Sequence, residues 1–427
     1  LLWEGAKPIL FWEVPIMNTG DTAWVLISTA LVFAMTVPGL AFFYGGLVRR
    51  KNVLSVLMQC FIIMCVVTIQ WVLFGYSLSF GPDTGVGVIG NLKWAGLNLV
   101  GGQPNADYAP TIPHGAFMIF QCMFAVITPA LICGAYAERM RFSAFLLFAC
   151  LWTTLVYDPL AHWVWGTGGW LRDLGGLDFA GGIVVHTSSG VSALVIALML
   201  GRRIGYSRAP FRPHNLPFTV LGGALLWFGW FGFNAGSALG ANETAVNAFI
   251  TTQAATAAAG LTWALLEWQQ HGAPTVLGAT TGAVAGLVAI TPACGFVNPV
   301  NALFIGILAA VFCYIAVAVV KARLGYDDAL DAFGVHGVGG VWGTLATGLF
   351  AEKAVNAAGA DGLLFGGHSL FLAQLAMVAV APLFAAAMTW ILYRFVDALL
   401  GMRVERSEEI IGLDLTQQSE AAYTVVE

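Results

Sequence analysis

The stretches GGIVVHTSSGVSALVIALML (residues 181–200) and FGVHGVGGVWGTLATGLF (residues 333–350) decide how this chain is read. Each is an apolar run interrupted by one histidine, His186 in the first and His336 in the second. In both, the histidine follows a valine (Val185, Val335) and a glycine stands four residues later (Gly190, Gly340). An ionisable side chain at membrane depth is expensive and by default marks a functional site. Two of them, framed alike in different halves of the chain, predict one site built by two related repeats.

The surrounding composition supports membrane depth. The chain has 427 residues, 59% hydrophobic and 10% charged, with a mean hydropathy of +0.81. A soluble domain carries roughly 25% charged residues. The apolar runs last twenty residues or more, which suits membrane helices rather than the shorter alternating strands of a barrel. The 51 glycines suit helices whose backbones approach closely, and GxxxG spacings occur at Gly236/Gly240, Gly282/Gly286 and Gly339/Gly343. The seven cysteines all fall in apolar segments without a CxxC pair and read as small buried hydrophobes. The net charge of −5 is spread among loops and indicates no particular partner.

The fold class expected is an all-α membrane protein of eleven transmembrane helices, at about 22–46, 53–80, 114–137, 142–164, 179–200, 217–236, 244–268, 275–293, 300–320, 332–351 and 368–400. With the amino terminus outside, fourteen Lys and Arg residues, among them Arg49, Arg50, Lys51, Arg139, Arg202 and Arg203, flank the cytoplasmic side. Lys7, Lys93, Arg172 and Lys353 are external, which accounts for all 18. That bias places the amino terminus outside and the carboxyl terminus inside. Five helices on either side of the loop 201–216 form two halves, about 20–200 and 217–353. An odd number per half inverts one against the other, which puts a site near the midplane between them. His186 and His336 then fall in the fifth helix of each half. The eleventh helix is a long extra brace that completes a membrane domain over 1–400, and 401–427 is a polar cytoplasmic tail.

Four longer motifs sharpen this reading: DFAGGIVVH (178–186), GWFGFNAGSAL (229–239), GLVAITPACGFV (286–297) and DDALDAFGVHGVGGVWG (327–343). Together they resemble the ammonium transporter family of Amt, Mep and Rh proteins, and the likeness runs from about residue 20 to residue 423. The external aromatic at Trp165 is similar to the bacterial or archaeal Amt branch rather than the Rh branch. The resemblance implies a homotrimer in the inner (plasma) membrane, each protomer carrying its own pore. It implies an outer recruitment site at Phe120, Trp165 and Ser237, a gate of stacked rings at Phe124 and Phe233, pore histidines at His186 and His336, and a supporting acid at Asp178. It also implies that the GLDLTQQSEAAY stretch is the region through which family members respond to PII signal proteins. Here Gln417-Gln418-Ser419 replaces the usual acidic-His-Gly pattern, and Thr281 replaces the usual serine in the eighth helix while keeping a hydroxyl.

The residues support such chemistry on their own terms. Moving an ammonium-sized ion from water into an apolar medium costs on the order of 20 kcal/mol by the idealised Born value. Removing a proton from an amine of pKa about 10 at neutral pH costs roughly 4 kcal/mol. Splitting the cation into a proton and a neutral molecule is therefore the cheaper route. It needs a cation trap, a dry constriction and a group that takes or guides the proton. Aromatic faces attract cations, and a serine hydroxyl has lone pairs to offer. Imidazole donates through one nitrogen and accepts through the other.

Each residue also has an ordinary reading. Trp is common at membrane interfaces, most of the 29 Phe must be core or lipid-facing, and a buried histidine is often bound to a carbonyl. Asp178 is a natural helix N-cap, expected to lend negative potential to the trap without touching the ion. Capping and loop–tail contacts explain Asp327, Asp328 and Asp331, at the cytoplasmic entrance to the tenth helix, about as well as any transport role, and His162, near Trp165, receives no role. No cofactor, nucleic acid or metal is expected, because no Cys or carboxylate completes a ligand set around the histidines. No nucleophile–base pair or nucleotide loop suggests an enzyme. The alternatives to a transporter are an ammonium sensor of the same fold and an Rh-like channel for ammonia or carbon dioxide. The sequence leaves open whether transport is electrogenic, and with what affinity.

Overall fold

The computed structural model describes residues 17–208 and 211–423; Lys7 and the last four residues of the tail lie outside them. In chain order the helical segments are α1 (Thr19–Leu47), α2 (Arg50–Phe80), α3 (His114–Tyr136), α4 (Phe142–Asp173), α5 (Gly182–Leu200), α6 (Leu216–Gly236), α7 (Glu243–His271), α8 (Val276–Ile290), α9 (Pro299–Leu324), α10 (333–350) and α11 (His368–Leu400). Among the described residues nine of these, all but α8 and α10, are long and apolar enough to cross a membrane. In lipid every backbone polar group needs an internal partner, which long helices provide. Their starts are written in the sequence: Asn18, Asn215, Asn242, Thr275 and Asn298 each accept an amide hydrogen in the first turn of α1, α6, α7, α8 and α9.

α3 lies at the centre, buried over most of its length, while α11 shows Leu372, Leu383 and Phe395 on an exposed apolar face. Small residues set the helix spacing. Gly222, Gly229, Gly232 and Gly236 of α6 lie directly against α1, and Gly282 and Gly286 of α8 against Ala259 of α7. Gly339 and Gly343 of α10 face Val288 and Ala289 of α8. The third spacing, Gly236/Gly240, is not a helix face, because α6 ends at Gly236 and Gly240 lies in the following turn beside Asp21.

Two details depart from the sequence reading. The loop between α2 and α3 holds a small antiparallel hairpin, β1 (Pro104–Asn105) with β2 (Ala109–Pro113), so the chain is not wholly α. Cys65 is exposed and Cys150 half-buried, while the other five cysteines are buried.

Several helices contain a wide π turn. Those at Thr153–Tyr157 of α4 and Ile315–Val320 of α9, and at Gly182–Thr187 of α5 and Phe333–Gly337 of α10, fall in paired positions of the two halves. The last two contain His186 and His336. α5 and α10 cross backbone to backbone at this level. A Cβ on Gly190 would collide with the Gly337 backbone, and one on Gly340 would sit 2.7 Å from the Gly182 carbonyl oxygen and from Thr187 Oγ1.

At the end of the bundle that carries the tail, arginines close a buried ion cluster. Glu138 pairs with Arg49 at 2.8 Å and Arg203 at 3.1 Å, and Arg203 reaches Asp327 at 2.7 Å. Burial pushes the Glu138 carboxyl up, but Arg203 and Arg49 outweigh it and hold it below the usual range. The tail is docked rather than free. It forms α12 (Arg406–Ile411) and α13 (Leu413–Gln418), with Leu413 N–H donating to Asn52, Ser55 N–H to Asp414, and Glu409 paired with Arg403 at 2.8 Å.

Gly190→Val is expected to lower the thermal midpoint of the purified protein by more than ordinary overpacking, which costs about 1–3 kcal/mol, because the obstruction is backbone. An unchanged midpoint would show that the two helices have room to spare.

Candidate functional site

The predicted site residues come from five elements and line up along one path. At one end of the bundle a basin is walled by Phe124 and Gln121 of α3, Trp165 of α4, Ser237 just past α6, and Asp178. Trp165 is pinned in two ways: its indole N–H donates to the Asp178 carbonyl at 2.8 Å, and Arg172 donates to the Trp165 carbonyl at 2.8 Å. The Ser237 hydroxyl donates to Phe233 O at 2.8 Å, which leaves its lone pairs to accept. Phe120 sits elsewhere than expected. It is fully buried behind Phe124, edge-on at 5.0 Å, because an i, i+4 pair shares one helix face at different depths, and here Phe124 holds the position that reaches the basin.

Beneath the basin Phe124 and Phe233 stack with centroids 4.2 Å apart at 21°, both buried. His186 follows, its ring 6.0 Å from that of Phe233. His186 Nδ1 and His336 Nδ1 are 3.2 Å apart, so one nitrogen donates and the other accepts. The pair is buried, and His186 Nε2 has no partner. His336 forms the roof of a second basin with Tyr44, Thr281, Val335 and Asp331. The two basins are thus separated by two stacked phenyl rings and two imidazoles.

Asp178 holds the start of α5. Its carboxylate accepts backbone N–H groups from Gly181, Gly182, Ile183 and Val184 at 2.6–3.2 Å. Gly181, at φ 111°, makes the left-handed turn this wrap requires, and so α5 begins at Gly182 rather than near 179. With four donors taken, the carboxylate has no strong reason to contact a ligand. Asp328 stands in the matching place before α10, accepting from Phe333 N–H at 2.7 Å.

One residue escaped the sequence reading, and for a second, Asp328, the capping role was legible but its pairing with Asp178 was not drawn. Trp230 stacks on His186 at 5.3 Å and 19° and is fixed by its N–H to Thr291 Oγ1 at 2.9 Å. Among 15 tryptophans nothing singled it out except its place three residues before Phe233. Asp328 did have a signal: it precedes His336 by eight residues, as Asp178 precedes His186.

The fold defines a helical multi-pass membrane protein. The model of the Ammonium Transporter Family matches residues 23–423. The ammonium transporter of Bacillus subtilis is 54% identical over 95% of this chain and 99% of that protein. Ammonium transporter Amt1 of Archaeoglobus fulgidus is 47% identical over 96% of this chain and 100% of its own length. The crystal structure of Saccharomyces cerevisiae Mep2 superposes with a TM-score of 0.86 at 38% identity, covering 92% of this chain and 89% of that one. The chain belongs to the ammonium transporter family.

Asp178→Asn turns an acceptor-only group into one whose amide faces backbone donors. Each buried N–H left unpaired costs about 1–3 kcal/mol, so this variant is expected to unfold at a clearly lower temperature than the parent. A thermal melt that matches the parent would mean that the four hydrogen bonds do not hold α5.

Proposed function

We propose that the chain transports ammonium, recruiting the cation in the Trp165 basin and passing ammonia through the apolar constriction. Trp165 offers an aromatic face to the cation with Phe124 beside it, Ser237 offers a hydroxyl acceptor, and Phe120 backs Phe124. Past the basin the stacked Phe124 and Phe233 leave no polar partner, so a cation would lose its water without compensation. Before this point the ion hands its proton to solvent water in the open basin, and the ammonia that remains is neutral and passes the rings. His186 and His336 then offer ammonia a polar edge, and their shared Nδ1 hydrogen bond allows a proton to be handed across. The observation that carries this reading is the 3.2 Å contact between two imidazoles directly beneath a ring gate.

The same reading covers the architecture. All of α1–α11 would cross the membrane, α8 and α10 included, as two inverted halves braced by α11. The amino terminus would be outside and the tail inside, in the inner (plasma) membrane. A homotrimer with one passage per protomer, and a tail open to a PII-type regulator, follow from the family reading. For the tail, the docked α12 and α13 supply a surface that such a partner could read, although Gln417 is already engaged with Phe142 N–H at 3.0 Å and Glu408 at 2.8 Å.

Voltage-controlled flux in proteoliposomes tests the mechanism. Ammonium-evoked current is expected in the parent and is expected to vanish when His186 and His336 are both replaced. Neutral flux indifferent to membrane potential, and to both replacements, would refute the relay and favour an Rh-like channel. Trp165→Leu is expected to weaken uptake at low ammonium with little change at saturation, and unaltered uptake kinetics would remove Trp165 from the trap.

A further inference from the structure

Away from the passage, α2 and α4 are joined by a polar network that the proposed transport does not use. Asp158 follows the π turn Thr153–Tyr157 of α4 and is fully buried. Gln70, just before the π turn Trp71–Gly75 of α2, donates its Nε2–H to Asp158 Oδ2 at 2.7 Å, and the Ser79 hydroxyl donates to Oδ1 at 3.2 Å. One turn further, buried His162 places Nδ1 3.0 Å from the Ser79 carbonyl oxygen and Nε2 3.0 Å from Asp83 Oδ1. Both His162 contacts are to oxygen acceptors, and the Asp83 carboxylate has this imidazole beside it as a partner.

Asp158 has no such partner. Both of its hydrogen bonds come from uncharged groups, and among the described residues the ion pair nearest in the chain is the closed His162–Asp83 pair. The titratable groups that couple to it are Cys150 and Tyr157 on its own helix, neither of them a hydrogen-bond partner, and His162 lies one turn further on. α2 presents an amide and a hydroxyl, and α11 packs Thr389 and Phe384 on α4. Two neutral hydrogen bonds do not offset the desolvation of a bare carboxylate in a bilayer. The geometry offers no charged donor in reserve: Gln70 Nε2 spends its other hydrogen on Thr154 Oγ1 at 3.2 Å. A proton on Asp158 removes the charge.

We propose that Asp158 is a resident proton-binding site: a carboxylic acid kept un-ionised at neutral pH, hydrogen-bonded to Gln70, that clamps the π turns of α2 and α4 together. The ligand is the proton itself, and the site is separate from the histidine pair. Unlike the capping carboxylates, it works only in the acid form. Ser79 joins it to the His162–Asp83 pair, so one polar strip secures the stretch of α4 that leads to Trp165.

Infrared difference spectroscopy of the full-length protein against Asp158→Asn at neutral pH tests this directly. The parent is expected to show the carbonyl stretch of an un-ionised carboxylic acid, sensitive to deuterium oxide and missing from the variant. Loss of carboxylate bands instead would overturn the proposal. Thermal stability gives an independent reading. In the unfolded chain an aspartate ionises above about pH 4, so folding must take up a proton, and stability declines as pH rises. Asparagine has the same shape and needs no proton. The variant is expected to melt a few degrees above the parent near pH 8, with the gap narrowing towards pH 5. A variant that melts lower at every pH, or fails to fold, counts against the proposal. So does a sodium-dependent stabilisation of the parent, against choline chloride, that the variant lacks, since that would make the occupant a metal cation.

Discussion

The molecule depends on two missing Cβ atoms. Gly190 and Gly340 let α5 and α10 touch backbone to backbone, and this contact brings two π turns from distant parts of the chain to one level. Lipid tails are as apolar as leucine, so the bilayer gives helices little hydrophobic reason to associate. Close van der Waals approach has to supply it, and only glycine permits an approach this close. The imidazole contact at 3.2 Å is a consequence of that crossing. The π turns contribute as well, because the extra residue in each turn re-aims its side chains relative to the helix that follows.

Much of this was legible beforehand, for a physical reason. Burying a histidine in an apolar run is costly enough to stand out, and the glycine four residues on carries the geometry of the crossing in the same few letters. The 150-residue offset relates His186 to His336, Gly190 to Gly340 and Asp178 to Asp328, although the last pair went unused. What stayed hidden shares one property: it depends on depth rather than on identity. Phe120 and Phe124 lie on one helix face, and only the folded structure shows that Phe124 is the one lining the basin. Trp230 is one aromatic among many until the fold lays it on His186. The start of α5 was misplaced because the wrap around Asp178 consumes three residues that hydropathy counts as helix. The docking of the tail depends on Asn52 and Ser55, ordinary loop-edge residues whose role appears only when α13 reaches them.

The arrangement along the path follows from one asymmetry. A cation gains from aromatic faces and hydroxyl oxygens while it keeps part of its water, but it gains nothing from the interior of a phenyl stack. The basin supplies the first kind of surface and the Phe124–Phe233 pair the second, a few ångströms apart. Potassium has no proton to give up, so the same step leaves it with the full desolvation cost. Selectivity of this kind needs no tailored coordination shell. On the proposed mechanism it needs only an apolar constriction, which the rings stacked at 4.2 Å would supply.

The capping carboxylates complete this logic. A helix begins with unpaired N–H groups and the positive end of its dipole. Left open, the start of α5 would put that positive end beside the Trp165 basin, where it would oppose the cation binding proposed there. Asp178 absorbs all four N–H groups, so the basin meets a neutralised terminus with no free carboxylate to hold the ion too tightly. Asp328 performs the corresponding task before α10, near Asp331 of the other basin, but less completely. One of its oxygens takes Phe333 N–H and the other is buried without a donor. Burial pushes this carboxyl up to about 6, with Lys321 opposing and Asp331 adding to the shift. The two ends of the path are therefore built on one plan, an aspartate eight residues before each histidine, but the acid before α5 is fully satisfied by backbone donors and the one before α10 is not.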